Sequence, residues 1–135
     1  MKPTHHQQYC ADIFSSALEG GINYWAVGRK FKRVPQSDPD WAGSYLSGEL
    51  RGNPDEGDAF PKGDPHNKWL PINLETIEAA IVKILAAQAS GKGLVRADIA
   101  HDILIDWNDP DACRFDAETA DSIIQIALFG EIVFG

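Results

Sequence analysis

The spacing of apolar residues in the second half of the chain limits the fold more than any other feature. These residues recur at three- and four-residue intervals in three successive stretches, which is the period of an α-helix with one buried face. The first stretch follows Asn73, a residue type that caps helices, and ends at Gly91. The second covers about 94–105, and the third begins at Asp116 and ends at Gly130. We therefore predict three consecutive helices.

Each of these helices is expected to bury one side, because its apolar residues share a face. The predicted core residues are Leu74, Ile77, Ile81, Ile84 and Leu85 in the first helix, Ile99, Ile103 and Leu104 in the second, and Ala120, Ile123, Ile124, Ala127 and Leu128 in the third. Polar residues occupy the remaining positions and are expected on the opposite side.

The first half of the chain has a different pattern. Residues 6–19 carry an apolar stripe of helical period, and Gly20 and Gly21 are predicted to end that helix because glycine tolerates the left-handed conformation. Aromatic and β-branched residues are typical of strands, and they are frequent over 22–34 and again over 41–50. The predicted fold class is therefore α+β, with an N-terminal helix, a small antiparallel sheet and three C-terminal helices.

A length of 135 residues predicts a single domain. Residues 51–71 hold three glycines, four prolines and seven charged residues, a composition that predicts a long loop. Residues 131–134 are predicted to close the fold as a short strand.

Two cysteines, Cys10 and Cys113, are too few for a disulfide framework and lack the spacing of a zinc site. The chain has no apolar run near the roughly 18 residues that a membrane span needs, and its polar beginning does not resemble a signal peptide. These features predict a cytoplasmic protein that makes no membrane contact.

The net charge of −8 is unevenly distributed. Residues 1–96 contain eleven basic and eleven acidic side chains, whereas residues 97–135 contain nine acidic side chains and one basic residue, Arg114. A short basic pole, 29–33, holds two arginines and two lysines. An acidic chain disfavours direct, sequence-independent binding to nucleic acid, so the charge favours a protein partner with a basic surface.

Asp98, Asp102 and Asp106 recur every four residues on the predicted second helix, so they are expected to form an acidic row along one side. Asp109 and Asp111 extend this negative field past the helix. Like charges at this spacing each cost a few tenths of a kcal/mol in an isolated helix. The row therefore has two interpretations, a docking surface for a basic partner or an ordinary solvated face.

The stretch from Glu19 to Trp25 is a candidate ligand site. Its carboxylate, its amide and its two aromatic rings, which belong to Glu19, Asn23, Tyr24 and Trp25, would surround a small molecule. If the stretch is a strand, Asn23 and Trp25 share one face and Tyr24 lies on the other. The alternative is a structural corner between helix and strand.

The last predicted helix carries a polar stripe of Glu118, Asp121, Ser122 and Gln125 at i, i+3, i+4 and i+7. One interpretation is a solvated face. The other gives Asp121 and Gln125 a contact role, facing the candidate site at Glu19–Trp25.

Motifs of catalysis are missing from the sequence. No glycine-rich phosphate loop or nucleophile elbow is present, and residues 106–111 lack the glycine and the ligands of a calcium loop. We therefore predict no catalytic residues, no cofactor and no metal site.

Two stretches carry a family resemblance. They are Glu-Gly-Gly-Ile-Asn-Tyr-Trp at 19–25 and Gln-Ile-Ala-Leu-Phe-Gly-Glu-Ile-Val-Phe-Gly at 125–135. The pair resembles small accessory proteins of bacteriophages and prophages. The resemblance implies a phage setting and no established enzymatic activity. If a phage encodes the protein, its predicted location is the cytosol of the host cell.

Three functional hypotheses follow. The first is a non-enzymatic phage-type protein that inhibits a host factor, such as an antiviral defence component in the manner of an anti-CRISPR, through its acidic surface. The second is a binder of a small nucleotide-like ligand, or an enzyme of modest activity, with a pocket at Glu19–Trp25. The third is a structural or assembly component that forms a homo-oligomer.

Overall fold

A computed structural model describes residues 1–52 and 68–135. It contains four α-helices, a π-helical turn and a three-stranded antiparallel sheet among these residues, which confirms the predicted α+β class. In chain order the elements are α1 (His5–Ser16), the π-helical turn (Ala17–Gly21), β1 (Ala26–Arg33), β2 (Tyr45–Gly52), β3 (Leu70–Asn73), α2 (Leu74–Ala89), α3 (Ala97–Asn108) and α4 (Ala117–Phe129).

The loop predicted over 51–71 lies mostly outside the described residues. At its two ends the prediction is wrong, because residues 51–52 complete β2 and residues 70–71 begin β3. The strand β3 is only four residues long and contains Pro71, which lacks a backbone N–H donor. A strand this short gives little alternation in the sequence to predict it from.

The sheet has the order β1-β2-β3, so β1 is an edge strand. Leu50 and Ile72 face the core and are fully buried. The strand predicted from residue 22 begins only at Ala26, because the chain first makes a turn in which Ile22 O accepts hydrogen bonds from the N–H groups of Trp25 and Ala26. The alternating faces predicted for Asn23, Tyr24 and Trp25 are therefore wrong.

The helix boundaries reflect local capping. Asn73 and Asp116 each accept a backbone N–H bond at the start of α2 and α4, as predicted. Gly130 ends α4 with φ +75°, the left-handed conformation that glycine adopts without strain. Leu104 is 45% exposed, so the prediction that it is buried is wrong.

Gly21 has a different role from the predicted one. Neither Gly20 nor Gly21 adopts the left-handed conformation. A Cβ atom at Gly21 would lie 2.8 Å from the carbonyl oxygen of Ala117, closer than real Cβ contacts come. This glycine therefore allows the π-helical turn to approach the start of α4.

The helix α4 lies at the centre of the molecule. It packs against α1, α2, β3 and the π-helical turn, and its residues from Thr119 to Ile126 are all buried. Its predicted polar stripe consequently lies inside the protein at Asp121, Ser122 and Gln125. Those three polar side chains need partners within the fold, because burying an unpaired polar group is costly.

Within residues 1–52 and 68–135, no helix combines the length and the apolar character that crossing a lipid bilayer requires.

Candidate functional site

Asp121 is the centre of a buried hydrogen-bond network. Its Oδ2 atom accepts a bond of 2.5 Å from the Tyr24 hydroxyl, and its Oδ1 atom accepts bonds from Trp25 Nε1 at 2.8 Å and Gln125 Nε2 at 2.9 Å. Only 9% of Asp121 is exposed. Three donors on one carboxylate compensate for much of the loss of water around it.

The turn at 22–25, which follows the π-helical turn, positions both aromatic side chains beside Asp121. Tyr24 and Trp25 are neighbours in sequence, and in the turn both direct their polar atoms to the same carboxylate. In a strand they would point to opposite faces. Trp25 is buried, whereas Tyr24 is 45% exposed.

Gln125 connects Asp121 to the C-terminal segment, residues 131–135. Its Oε1 atom accepts hydrogen bonds of 2.8 Å from the backbone N–H groups of Val133 and Phe134, and its Nε2 atom donates to Phe134 O at 3.1 Å. The predicted strand over 131–134 is wrong, since the structure has no strand there. The side-chain amide of Gln125 provides the hydrogen bonds that a neighbouring strand would have provided.

The ring of Phe134 stacks on Trp25, with centroids 4.6 Å apart and planes at 13°. Trp25 also contacts Phe129, at a centroid distance of 5.7 Å. The C-terminal segment is therefore held by an aromatic contact and by the Gln125 amide.

A cavity of about 600 Å³ opens beside Asp121. Its walls are the π-helical turn with Tyr24, the first turn of α3, one side of α4 and the C-terminal segment. Ile99, Ile132 and Phe134 provide apolar wall, while Ser122 and Gln125 provide polar wall. This volume lies within the roughly 300–1,000 Å³ that is usual for small-molecule sites.

The charges around the cavity are predominantly negative. Two carboxylates, Glu118 and Asp121, line it together with one cation, Arg96. That guanidinium donates to Glu118 at 2.6 Å and makes two bonds of 3.1 Å to Asp98. These acids also lie in the first turns of α3 and α4, where they offset the positive ends of the helix dipoles.

Two protonation effects follow from the contacts. Burial and the hydrogen bond to the Asp121 carboxylate raise the pKa of Tyr24 above its ordinary value, so this phenol stays a donor. The bonds from Arg96 lower the pKa of Asp98 below its ordinary value.

Ser122 is buried, and its hydroxyl has no hydrogen-bond partner in the described part of the chain.

Four of the six predicted ligand residues meet in this network: Tyr24, Trp25, Asp121 and Gln125. The other two lie elsewhere. Glu19 is exposed and borders a polar cleft between α1 and the segment 35–44, and Asn23 is exposed beside Ala26 and Val27. The prediction that they share a pocket with Trp25 is wrong, because the turn at 22–25 separates them from the Asp121 side.

The predicted acidic row does not form as expected. Asp106 is fully buried, and its carboxylate accepts the backbone N–H groups of Arg114 and Phe115 at 2.8 and 3.0 Å. It therefore holds the segment after α3 in place and cannot belong to an exposed row. The burial of Tyr9 beside Asp106 raises the pKa of that phenol.

The remaining acids of the row have separate surroundings. Asp98 pairs with Arg96, and Asp102 lies 3.9 Å from Arg114. Asp109 and Asp111 are exposed, and no ion pair links either of them to a cation within the described ranges. The acids of the row that still reach solvent are Asp98, Asp109 and Asp111, which are exposed, and Asp102, which is half-buried.

The predicted site set omits several residues that line the cavity, among them Arg96, Glu118, Ser122 and Phe134. Glu118 and Ser122 could be predicted from the sequence, since they belong to the polar stripe of the last helix. Nothing local in the sequence indicates that Arg96 and Phe134 come to the same place.

Among the described residues, no group of three or more His, Cys, Asp or Glu side chains is placed to hold a metal ion. No protein-family model, curated protein or solved structure matches the chain. The resemblance to phage and prophage proteins therefore stays a prediction.

Proposed function

We propose that this is a binding protein whose ligand is a small, flat molecule rich in N–H donors, bound in the cavity beside Asp121. The observation that carries this proposal is the placement of Asp121, Ser122 and Gln125 inside the protein but on the cavity wall. Buried polar side chains that also border a cavity of this size are typical of a ligand site.

The polar atoms of the wall support a donor-rich ligand. Asp121 Oδ2 receives a single hydrogen bond, from Tyr24, and so has a lone pair left for a donor of the ligand. Glu118 is an acceptor on the same helix, and the Ser122 hydroxyl can accept or donate. An aminated heterocycle such as a nucleobase offers N–H groups to these atoms.

The apolar wall supports a flat ligand. The rings of Tyr24 and Phe134 and the side chain of Ile99 line the cavity beside its polar groups. Stacking on aromatic rings stabilises bound planar molecules, whatever their substituents.

The negative charge of the cavity narrows the ligand class further. Arg96 is already shared between Glu118 and Asp98, so a phosphate group would meet two carboxylates and, among the described residues of the wall, no free cation. The general expectation of a nucleotide-like ligand is therefore refined to a nucleobase or a nucleoside without its phosphate.

Calorimetric titration with adenine, adenosine and AMP tests the proposal. We expect saturable binding of adenosine and at least tenfold weaker binding of AMP. Ser122→Leu should project into the cavity beside Asp121, block the polar wall and abolish binding, whereas Ser122→Ala should only weaken it. Melting temperatures of both variants establish that they are folded.

Glu118→Gln is the test of the charge argument. The variant should narrow the difference in affinity between adenosine and AMP, because it removes one repelling carboxylate and weakens the pairing of Arg96 Nη1, while Asp98 still holds the guanidinium. Its matched control is Glu75→Gln, an exposed acid in the first turn of α2. Equal affinity of wild-type protein for adenosine and AMP, or no binding of any of the three compounds, would contradict the proposal.

A second candidate function is the inhibition of a host factor by a phage-type protein through its acidic surface. The observation that favours it is the exposure of Asp109 and Asp111, which have no cation partner among the described residues. Unpaired carboxylates attract a basic protein surface over long range.

This second candidate predicts a salt-sensitive partner. Protein captured from host lysate by wild-type bait at 50 mM NaCl should be lost with the triple variant D102N/D109N/D111N. The matched control E75Q/E78Q/E131Q removes the same charge from other exposed acids and should retain the partner. Identical capture by both triple variants would exclude docking through this surface.

A further inference from the structure

The outward face of the sheet carries a second candidate binding surface, remote from Asp121 in the chain. Leu50 and Ile72 point inward, so the residues alternating with them point outward. We use the name basic sheet face for the outward side chains of Arg29, Lys32, Arg51 and Trp69. Arg29 lies opposite Glu49, and Lys32 lies opposite Ser47 on the neighbouring strand.

Trp69 makes cation–π contacts with two of these cations. The guanidinium of Arg29 lies 4.2 Å from the centre of the Trp69 ring, and that of Arg51 lies 4.9 Å from it. A guanidinium stacked on a ring keeps its in-plane N–H donors available to an anion. Arg51 Nε has no hydrogen-bond partner within the described ranges, although it is shielded from solvent.

The described residues of this surface carry more positive than negative side chains. Six cations lie on it or next to it in sequence, and the one carboxylate described among them is Glu49. The cations are Arg29, Lys30, Lys32, Arg33, Arg51 and Lys68. Glu49 contacts Arg29 at 2.8 Å and Lys30 at 3.6 Å, so it neutralises only part of this charge.

The β1 edge of the sheet is unsuited to adding a strand from a partner. The pairing of β1 with β2 shifts register between Arg29 and Lys32, and again between Lys32 and Arg33. Lys30 has φ 56°, a left-handed conformation that is rare for a residue with a Cβ atom. Such bulges interrupt strand addition, which is how an extended acidic peptide would pair with this edge.

A ligand of the basic sheet face would instead lie across the strands, where cations surround an aromatic ring. We infer that the basic sheet face binds single-stranded nucleic acid, with Arg29, Lys32 and Arg51 on the phosphates. Basic side chains that follow the backbone, combined with an aromatic residue, are the usual means of binding single strands without sequence preference. The acidic composition predicted no such binding, because it describes the sum of the charges and not their distribution.

Binding through three phosphate contacts is weak and depends strongly on salt. For single strands the logarithm of affinity falls with the logarithm of salt by about 0.7 per contact. Three contacts therefore predict a roughly 20-fold increase in Kd between 50 and 200 mM NaCl.

Fluorescence anisotropy with a labelled 15-nucleotide oligo(dT) tests this inference. We expect saturable binding at 50 mM NaCl and the salt dependence given above. Lys32→Gln and Arg51→Gln should each raise Kd severalfold and lower the salt slope by about 0.7. The matched control Lys92→Gln removes one exposed positive charge near the end of α2 and should leave Kd unchanged within twofold.

Trp69→Phe should retain most of the affinity, whereas Trp69→Leu should lose it, since only the first keeps an aromatic ring. Unchanged melting temperatures establish that the variants are folded. The inference is overturned by any of three results: no saturable binding at 50 mM NaCl, equal effects of Lys32→Gln and Lys92→Gln, or tighter binding of a poly-glutamate peptide than of oligo(dT). Self-association that Arg51→Gln abolishes, without binding of oligo(dT), would also overturn it and assign this face to a second copy of the chain.

Discussion

Trp25 Nε1 donates a hydrogen bond of 2.8 Å to Asp121 Oδ1, a contact between residues 96 positions apart. This bond joins the turn after the π-helical turn to the central helix α4. Since Gln125 bonds both to Asp121 and to the C-terminal segment, the same network fixes three separate parts of the chain. The network that shapes the cavity wall is thus also a determinant of stability.

The first prediction concerns Asp121 itself. Asp121→Ala should lower the free energy of unfolding by about 3 kcal/mol, because it leaves buried donors of Trp25 and Gln125 without an acceptor. Asp121→Asn should cost about half as much, since the amide keeps one oxygen acceptor. Urea unfolding measures both values, and an unchanged free energy for Asp121→Ala would show that the network contributes no stability.

The second prediction concerns the C-terminal segment. Gln125→Ala should increase the hydrogen-exchange rates of the Val133 and Phe134 amides about tenfold, because both lose their acceptor. The amide of Thr119, which Asp116 caps, provides an internal control. Equal exchange rates in the variant and the wild-type protein would mean that other contacts hold the segment.

The third prediction separates the two kinds of aspartate on α3. Asp106→Ala should destabilise the fold by about 2 kcal/mol, because two backbone N–H groups lose a buried acceptor. Asp102→Ala should change stability by less than about 0.5 kcal/mol, since its pair with Arg114 is long and exposed. Thermal and urea unfolding compare the two, and similar costs would contradict the assignment of Asp106 as structural.

The fourth prediction concerns pH. Burial and the nearby Glu78 charge raise the pKa of the Cys10 thiol from 9.0 to about 12. The unfolded chain therefore releases this proton first, and stability is lost as the pH rises above 9 by about 1.4 kcal/mol per pH unit. Cys10→Ala should reduce this slope and Cys113→Ala should not. Identical slopes for the two variants would contradict the effect.

Local signals in the sequence predict the helices well. Asn73, Asp116 and Gly130 act within one turn of their own positions, so their side chains or conformations are sufficient to place helix ends. The apolar stripes in turn predict helices packed on a small sheet, and that α+β class is confirmed.

The candidate site was predictable only in part. Asp121 and Gln125 are short side chains at positions where a solvated helix usually carries long lysines, and Tyr24 and Trp25 are adjacent aromatic residues after a helix end. The spacing of Asp121 and Gln125 indicates a shared helix face but not that α4 is surrounded on all sides. The burial of Asp106 could not be predicted from its helix alone, because its hydrogen-bond partners come from the segment that folds back after α3.

The exposed charge of the protein was likewise only partly predictable from the sequence. The sequence locates the acidic residues of 97–135, yet the structure buries Asp106 and Asp121 and pairs Asp98 with Arg96. Position in the sequence predicts the sum of charge in a segment. Which of those charges meets solvent depends on the packing.

The most direct test of the account is a two-dimensional NMR titration of the labelled protein with adenosine. Binding in the cavity predicts saturable shifts of the Tyr24, Ser122 and Val133 amides and of the Trp25 indole N–H. The absence of saturable shifts at these positions, or their confinement to the groove between α2 and α3 beside His101 and Leu104, would contradict the proposal that the Asp121 cavity is the binding site.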